Sequence, residues 1–210
     1  MVKLEDLSNA VIAGNDQKVK ELTTKAIEEK LAPGAIINDA LIPGMNVVGK
    51  RFKNNEMFVP EVLMSARAMN AGMELVKPLL LGGEVASKGT LVIGTVKGDL
   101  HDIGKNLVAM MFESAGYQVI DMGVDTTPED FAAAVKRHHA QVVGLSALLT
   151  TTMLAMKDTI EVLKEEGLRD KVKVVIGGAP ISQDFADEIG ADGFAPDAAS
   201  ATELVDHLLS

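Results

Sequence analysis

Apolar residues return every three or four positions through the first 80 residues of the chain. The segments "LEDLSNAVIAG", "DQKVKELTTKAIEEKL", "AIINDALIPGMNVVGKRFKN" and "FVPEVLMSARAMNAGMELVKPLL" all carry this spacing, which lines one face of a helix. Gly14 and the "APG" at 32–34 interrupt the runs. Pro60 falls where a first helical turn tolerates a missing N–H. No period-two alternation occurs. Four helices with short loops, the ingredients of a bundle, account for this part.

The pattern changes after "LGGEVASKG" at 81–89, a stretch of Gly and small residues that reads as a linker. Short apolar runs then alternate with helical segments. The runs predict strands near 90–96, 118–122, 141–146, 172–176 and 192–195. The segments between them predict helices near 104–115, 128–139, 153–166, 181–189 and 199–209. Thr127, ahead of Pro128 and Glu129, reads as a helix N-cap. Five mostly apolar strands separated by helices imply a doubly wound, five-stranded parallel α/β sheet, Rossmann-like or flavodoxin-like. The expected domains are a helical cap over 1–88 and an α/β domain over 89–210.

Ligands of such sheets bind at the carboxyl ends of the strands. The unusual loops fall there: "GDLHDIG" after the first strand, "SALLTTT" after the third, "GGAP" after the fourth and "APDAAS" after the fifth. Cys is absent, which excludes disulfides, thiolate metal sites, iron–sulfur clusters and Cys nucleophiles. The net charge of −10 arises wholly beyond residue 88, since 11 Lys and Arg balance 11 Asp and Glu before it. An acidic surface opposes nucleic-acid binding, and one Tyr, six Phe and no Trp supply little base stacking. The eleven Met suit adaptable packing. No segment reaches the ~18 apolar residues of a membrane span, and "MVKLEDLSNAV" lacks the apolar core of a signal peptide. A cytoplasmic protein with no membrane partner is expected.

His101 sits between Asp99 and Asp102 where a strand hands over to a helix. A lone loop His is usually a surface or capping residue. Asp99, however, could fix its tautomer and free the other ring nitrogen for a metal, with Gly104 permitting the turn into the helix. One His without Cys cannot hold a transition metal alone. The metal would arrive inside its own macrocycle, a corrin or a haem. Other motifs fit less well: "GTVKGDLHDIG" is not a dinucleotide fingerprint, and no P-loop or G-x-S-x-G is present. A receiver domain needs an acid ending the third strand, where "GLSAL" stands.

Asp99-x-His101-x-x-Gly104, then Ser146-x-Leu148, then Gly177-Gly178 resembles the signature of the cobalamin-binding domain. The group includes methionine synthase and the corrinoid proteins of methyltransferase systems. "LIPGMNVVGKRFKNNEMFVPEVLMSARAMNAG" is similar to its helical cap module, and "TVKGDLHDIGKN" is close to its consensus.

The resemblance implies cobalamin or a related cobamide, bound base-off, with its nucleotide tail in a groove of the sheet. It implies His101 as the lower axial ligand of cobalt. Asp99 and Thr152 would complete a proton relay with it, Thr152 linking the pair toward solvent or cap. Gly98, Asp102, Ile103 and Thr150 would share the cofactor surface. Ser146 and Leu148 would line the tail pocket, with Gly177 and Gly178 giving room. Phe194, Asp197 and Ala198 match the stretch near the buried base, although the family pattern often has Tyr where Phe194 stands. Phe52 and Val59, seven residues or about two helical turns apart, with "KNNEM" between them as a place for the chain to bend, match the cap residues over the upper face.

The chain stops after these modules, leaving no room for folate, homocysteine or reactivation domains. That implies the methyl-carrier subunit of a multi-component methyltransferase, not a complete enzyme alone. Its partners would be a donor-specific methyltransferase, an acceptor methyltransferase acting on tetrahydrofolate or a thiol, and a reductive activase. Two alternatives are weaker. A cobalamin-dependent regulator or light sensor needs a DNA-binding head, for which residues 1–20 are too short. The cobalamin subunit of a mutase normally lacks this cap.

Overall fold

The computed structural model describes residues 2–80 and 87–210, so most of the expected linker, 81–86, lies outside the described residues. The chain falls into two compact units, residues 1–87 with 114–116, and 88–113 with 117–210.

The first unit is helical: α1 (Leu4–Ile12), α2 (Asp16–Glu28), α3 (Pro33–Ile36), α4 (Ile42–Lys53) and α5 (Val59–Val76). Asn15 caps α2 by accepting the Lys18 N–H at 2.9 Å. Leu7, Val11, Val19, Ile36, Leu41, Met45, Val48, Val62 and Met69 form its buried apolar interior. Two glycines let helices approach. A Cβ on Gly44 would lie 2.9 Å from Ser8 O on α1, and one on Gly72 would lie 3.0 Å from Leu41 and Val19. The predicted third helix is not uniform. A π turn, Ile37–Leu41, joins α3 to α4, with Ile42 N–H bonded back to Ile37 O. Pro43 follows directly. It has no N–H to offer and its ring crowds the carbonyl four residues back, and widening the preceding turn relieves both.

Phe52 and Val59 are not two turns apart on one helix, as the spacing suggests. Phe52 ends α4, and Val59 opens α5 after a reversal in which Asn55 has φ +58. Asn tolerates this left-handed conformation.

The second unit is an all-parallel sheet of β1 (Thr90–Thr95), β2 (Gln118–Asp121), β3 (Val142–Ser146), β4 (Lys173–Gly177) and β5 (Gly193–Phe194) in the order β2-β1-β3-β4-β5. Its helices are α6 (Ile103–Ser114), α7 (Pro128–His138), α8 (Leu154–Glu165), α9 (Gln183–Ile189) and α10 (Ala198–Leu209). The expected doubly wound fold is thus present, with β5 reduced to two residues. Val92, Val143, Leu145, Val174 and Ile176 meet Phe131, Met156, Ile160 and Leu163 in one apolar layer. Gly94 is part of that packing: a Cβ there would lie 2.8 Å from the Phe131 ring. Thr127 caps α7 as predicted, accepting Asp130 N–H at 3.2 Å.

Candidate cofactor site

The chain order places β1 and β3 side by side, and the order reverses between them, so their carboxyl ends form the switch point of the sheet. The register aligns Thr95 with Ser146, and Ser146 with Gly177. The loops after β1, β3 and β4 therefore leave one edge side by side.

Asp99 is the centre of that edge and is fully buried. Its two carboxylate oxygens serve different loops. Oδ1 lies 2.8 Å from His101 Nδ1 and accepts the His101 N–H at 3.1 Å. Oδ2 accepts the Leu148 N–H at 2.8 Å, the Leu149 N–H at 3.3 Å and the Thr152 hydroxyl at 2.7 Å. Burial pushes the Asp99 carboxyl up. The bonds from Thr152, Leu148 and His101 outweigh it and hold the carboxyl well below the usual carboxylate range. An ionised carboxylate only accepts. Nδ1 of His101 must therefore carry the hydrogen, and in the neutral ring Nε2 has the lone pair. The His101 side chain is 50% exposed.

Thr152 is buried, and its hydroxyl has a second acceptor within reach, Leu149 O at 2.9 Å. A hydroxyl has one hydrogen, which the shorter contact gives to Asp99.

Four contributors were not visible as motif residues. Thr95, fully buried at the end of β1, donates its hydroxyl to His101 O at 2.8 Å. Asp125 accepts the Gly98 N–H at 2.7 Å. Lys105, 1% exposed, reaches both oxygens of Asp121 at 2.5 and 2.6 Å. Lys105 also donates to Asn106, whose amide in turn donates to Asp102 at 3.0 Å. Lys105 stands three residues into the helix, two positions before the apolar run "LVAMMF".

The glycines divide differently from the expectation. Gly98, with φ +83, makes the turn before the helix. Gly104 lies inside α6, and a Cβ there would meet nothing within 4 Å. At Gly178, with φ +134, a Cβ would lie 1.8 Å from Ala147 O. The room at Gly178 is already filled by the neighbouring loop. Gly177 is looser, its nearest atom to such a Cβ being Ala195 O at 3.2 Å. Ser146 is half-buried and Thr150 exposed. Phe194 ends β5, Asp197 caps α10 by accepting Ser200 N–H at 2.8 Å, and Ala198 is buried.

Among the described residues no group of three or more His, Asp or Glu could hold a metal ion. The same edge exposes Leu100, Ile103, Leu148, Leu149 and Leu154, Ile103 at 80%. Fold and site together define a parallel-sheet protein with one oriented His and a set of exposed apolar side chains at its switch point.

The comparisons name the class. The family described as "B12 binding domain" matches residues 89–205, and a second family with the same description matches 3–77. A corrinoid protein of Desulfitobacterium hafniense is 47% identical over 100% of this chain and 98% of its own length. Dimethylamine corrinoid protein 1 of Methanosarcina acetivorans is 47% identical over 99% of this chain and 97% of its own. The crystal structure of the methanol:cobalamin methyltransferase complex MtaBC from Methanosarcina barkeri contains a chain with TM-score 0.88 and 35% identity, covering 98% of this chain and 79% of that one. The chain belongs to the B12-binding family of corrinoid proteins. No helix among the described residues is long and apolar enough to cross a membrane.

Proposed function

We propose that the chain is the methyl-carrying corrinoid component of a methyltransferase system, with His101 as the protein ligand to cobalt. The carrying observation is the Asp99–His101 pair: a buried carboxylate fixes Nδ1 of a half-exposed imidazole, on an edge that also exposes Leu100, Ile103 and Leu148. The bound corrinoid supplies a cobalt centre that takes up and gives away a methyl group. The chain's own residues do the rest. Asp99 orients the imidazole. Thr152 and the Leu148 N–H keep Asp99 ionised, and Thr95 fixes the His101 carbonyl. Ser146 and Gly177 are read as the start of the groove for the nucleotide tail, with Phe194 and Ala198 further along it. Binding base-off follows from this reading, since His101 takes the position the cofactor's own base would hold.

The relatives named for dimethylamine and the complex named for methanol support a small methylated amine or methanol as donor class. A donor-specific methyltransferase and an acceptor methyltransferase would bind the substrates, and a reductive activase would restore the cobalt. The test uses cobamide with a 15N-labelled lower base. Cobalt(II) EPR of the loaded protein should show 14N hyperfine splitting from a His, and His101→Gln should abolish it. Splitting from the 15N base in wild type would sink the ligand assignment. Labelled methyl should then pass from donor to this chain only when a cognate donor methyltransferase is present.

A further inference from the structure

The β2–α7 loop carries a residue that neither touches the imidazole nor belongs to the family motif. Its backbone is pinned to β1: Met122 N–H bonds to Ile93 O at 2.8 Å, Thr95 N–H to Gly123 O at 2.9 Å and Thr126 N–H to Thr95 O at 3.0 Å. Between these anchors stands Asp125 with φ +53. A non-glycine residue in the left-handed region is uncommon and is a reason to look for a role.

Asp125 makes two bonds that bracket Gly98 and Asp99. Its Oδ1 accepts the Gly98 N–H at 2.7 Å, and its own N–H donates to Asp99 O at 3.0 Å. Gly98 is the flexible point of the His loop, with φ +83. Glycine there has the freedom to swing, and the two bonds remove it. What they fix is the direction in which Asp99 leaves the backbone. Asp99 in turn divides its oxygens between His101 and the 148–152 loop, which tolerates little rotation.

We infer that Asp125 is a positioning residue: it clamps Gly98 and Asp99 so that the Asp99 carboxylate holds His101 in the tautomer that leaves Nε2 free. The consequence for cobamide affinity rests on the reading of His101 as the cobalt ligand. The clamp itself does not.

The experiment compares wild type, Asp125→Asn and Asp125→Gly. Asn keeps the acceptor and tolerates the left-handed conformation. Gly keeps the conformation and the backbone N–H to Asp99 O, and loses only the acceptor for the Gly98 N–H. Imidazole 15N–1H correlation spectra of the cofactor-free protein distinguish the two tautomers. Wild type and Asp125→Asn should both show His101 protonated at Nδ1, and Asp125→Gly should show a mixture of tautomers with shifted Leu148 and Leu149 amides. On reconstitution, Asp125→Gly should bind cobamide about tenfold more weakly, and Asp125→Asn within about threefold of wild type, because only the population of aligned His101 changes.

Wild-type His101 and Leu148 signals in Asp125→Gly would overturn the clamp, even with weaker cobamide binding, since Asp125 would then act on the ligand directly. Equal disturbance in Asp125→Asn would overturn it too, because charge rather than the hydrogen bond would matter. Should Asp125→Gly not fold, hydrogen exchange in wild type decides: protected Gly98 and Asp125 amides support the clamp, and unprotected ones overturn it. Loss of the cobalt-ligand reading through His101→Gln leaves these cofactor-free readouts intact, so the two failures are distinguishable.

Discussion

Asp99 and Thr152 are 53 residues apart in the chain, and their side chains meet at 2.7 Å in the interior of the α/β unit. This contact makes the loop after β3 part of the support of a His on the loop after β1. The hydroxyl's only hydrogen is committed to a charged acceptor, and such bonds are worth roughly 1.5–3 kcal/mol. Thr152→Val should lower the stability of the cofactor-free protein by about that amount, and Thr152→Ser should recover most of it. Urea midpoints measure both. Equal midpoints for Val and Ser would mean that the methyl group, not the hydroxyl, matters.

The depressed pKa of Asp99 has a pH signature. Its native carboxylate binds a proton more weakly than the unfolded one. The stabilisation is therefore complete above the ordinary carboxylate range near ~4 and is lost as pH falls further through the depressed value. Asp99→Asn should be less stable than wild type at neutral pH, and the gap should narrow between about pH 4 and pH 2. Thermal melts across that range test it. A gap independent of pH would show that ionisation of Asp99 contributes nothing.

Lys105 and Asp121 form an unequal pair, since the lysine side chain is 1% exposed and the aspartate 40%. Removing the partner of a buried charge costs more than removing the buried charge itself. Asp121→Ala strands an ammonium away from water and should destabilise by about 3 kcal/mol. Lys105→Met leaves Asp121 to water and should cost less than half of that. The reverse order in chemical denaturation would refute the asymmetry.

Tyr117 donates its hydroxyl to Asp206 at 2.6 Å, and Lys88 reaches the same carboxylate at 2.9 Å. Burial and the Asp206 hydrogen bond push the phenol's ionisation well above its usual value near 10. This is the chain's one Tyr, and Trp is absent, so absorbance near ~295 nm reports it alone. The phenolate should appear only well above pH 10, or together with unfolding. The neutral phenol stabilises below its unfolded pKa, and that contribution is lost as pH rises through the native one. Asp206→Asn should bring the midpoint back toward 10. A midpoint near 10 in wild type would contradict the buried bond.

Much of the fold could be read from spacing alone. "TLVIGTV" is apolar throughout because β1 is covered on both faces, and the helical first part shows its period plainly. The site was legible where chemistry is concentrated in sequence, as in Asp99-x-His101, whereas Thr152 was singled out only through the family resemblance. It was not legible where support comes from other elements. Asp121, Asp125 and Thr95 are ordinary residues in any local window, and only the parallel register brings them to the His loop. Lys105 is a lysine between Gly104 and Asn106 in the first turn of a helix, which normally signals a solvated position. Glycine carries no label saying whether a ligand or the chain itself needs the space, so Gly178 was read as room for a cofactor although Ala147 O already occupies it. The π turn before Pro43 was hidden because its residues keep a helical pattern.

Asp99 accepts five donors in all, which fills the roughly four lone-pair directions a carboxylate offers. Water has no place left to compete. The ordering that a ligating imidazole needs is therefore completed when the chain folds, not when a cofactor arrives. The entropy of holding that ring is lost once, on folding, and each later binding event starts from a ring already aimed.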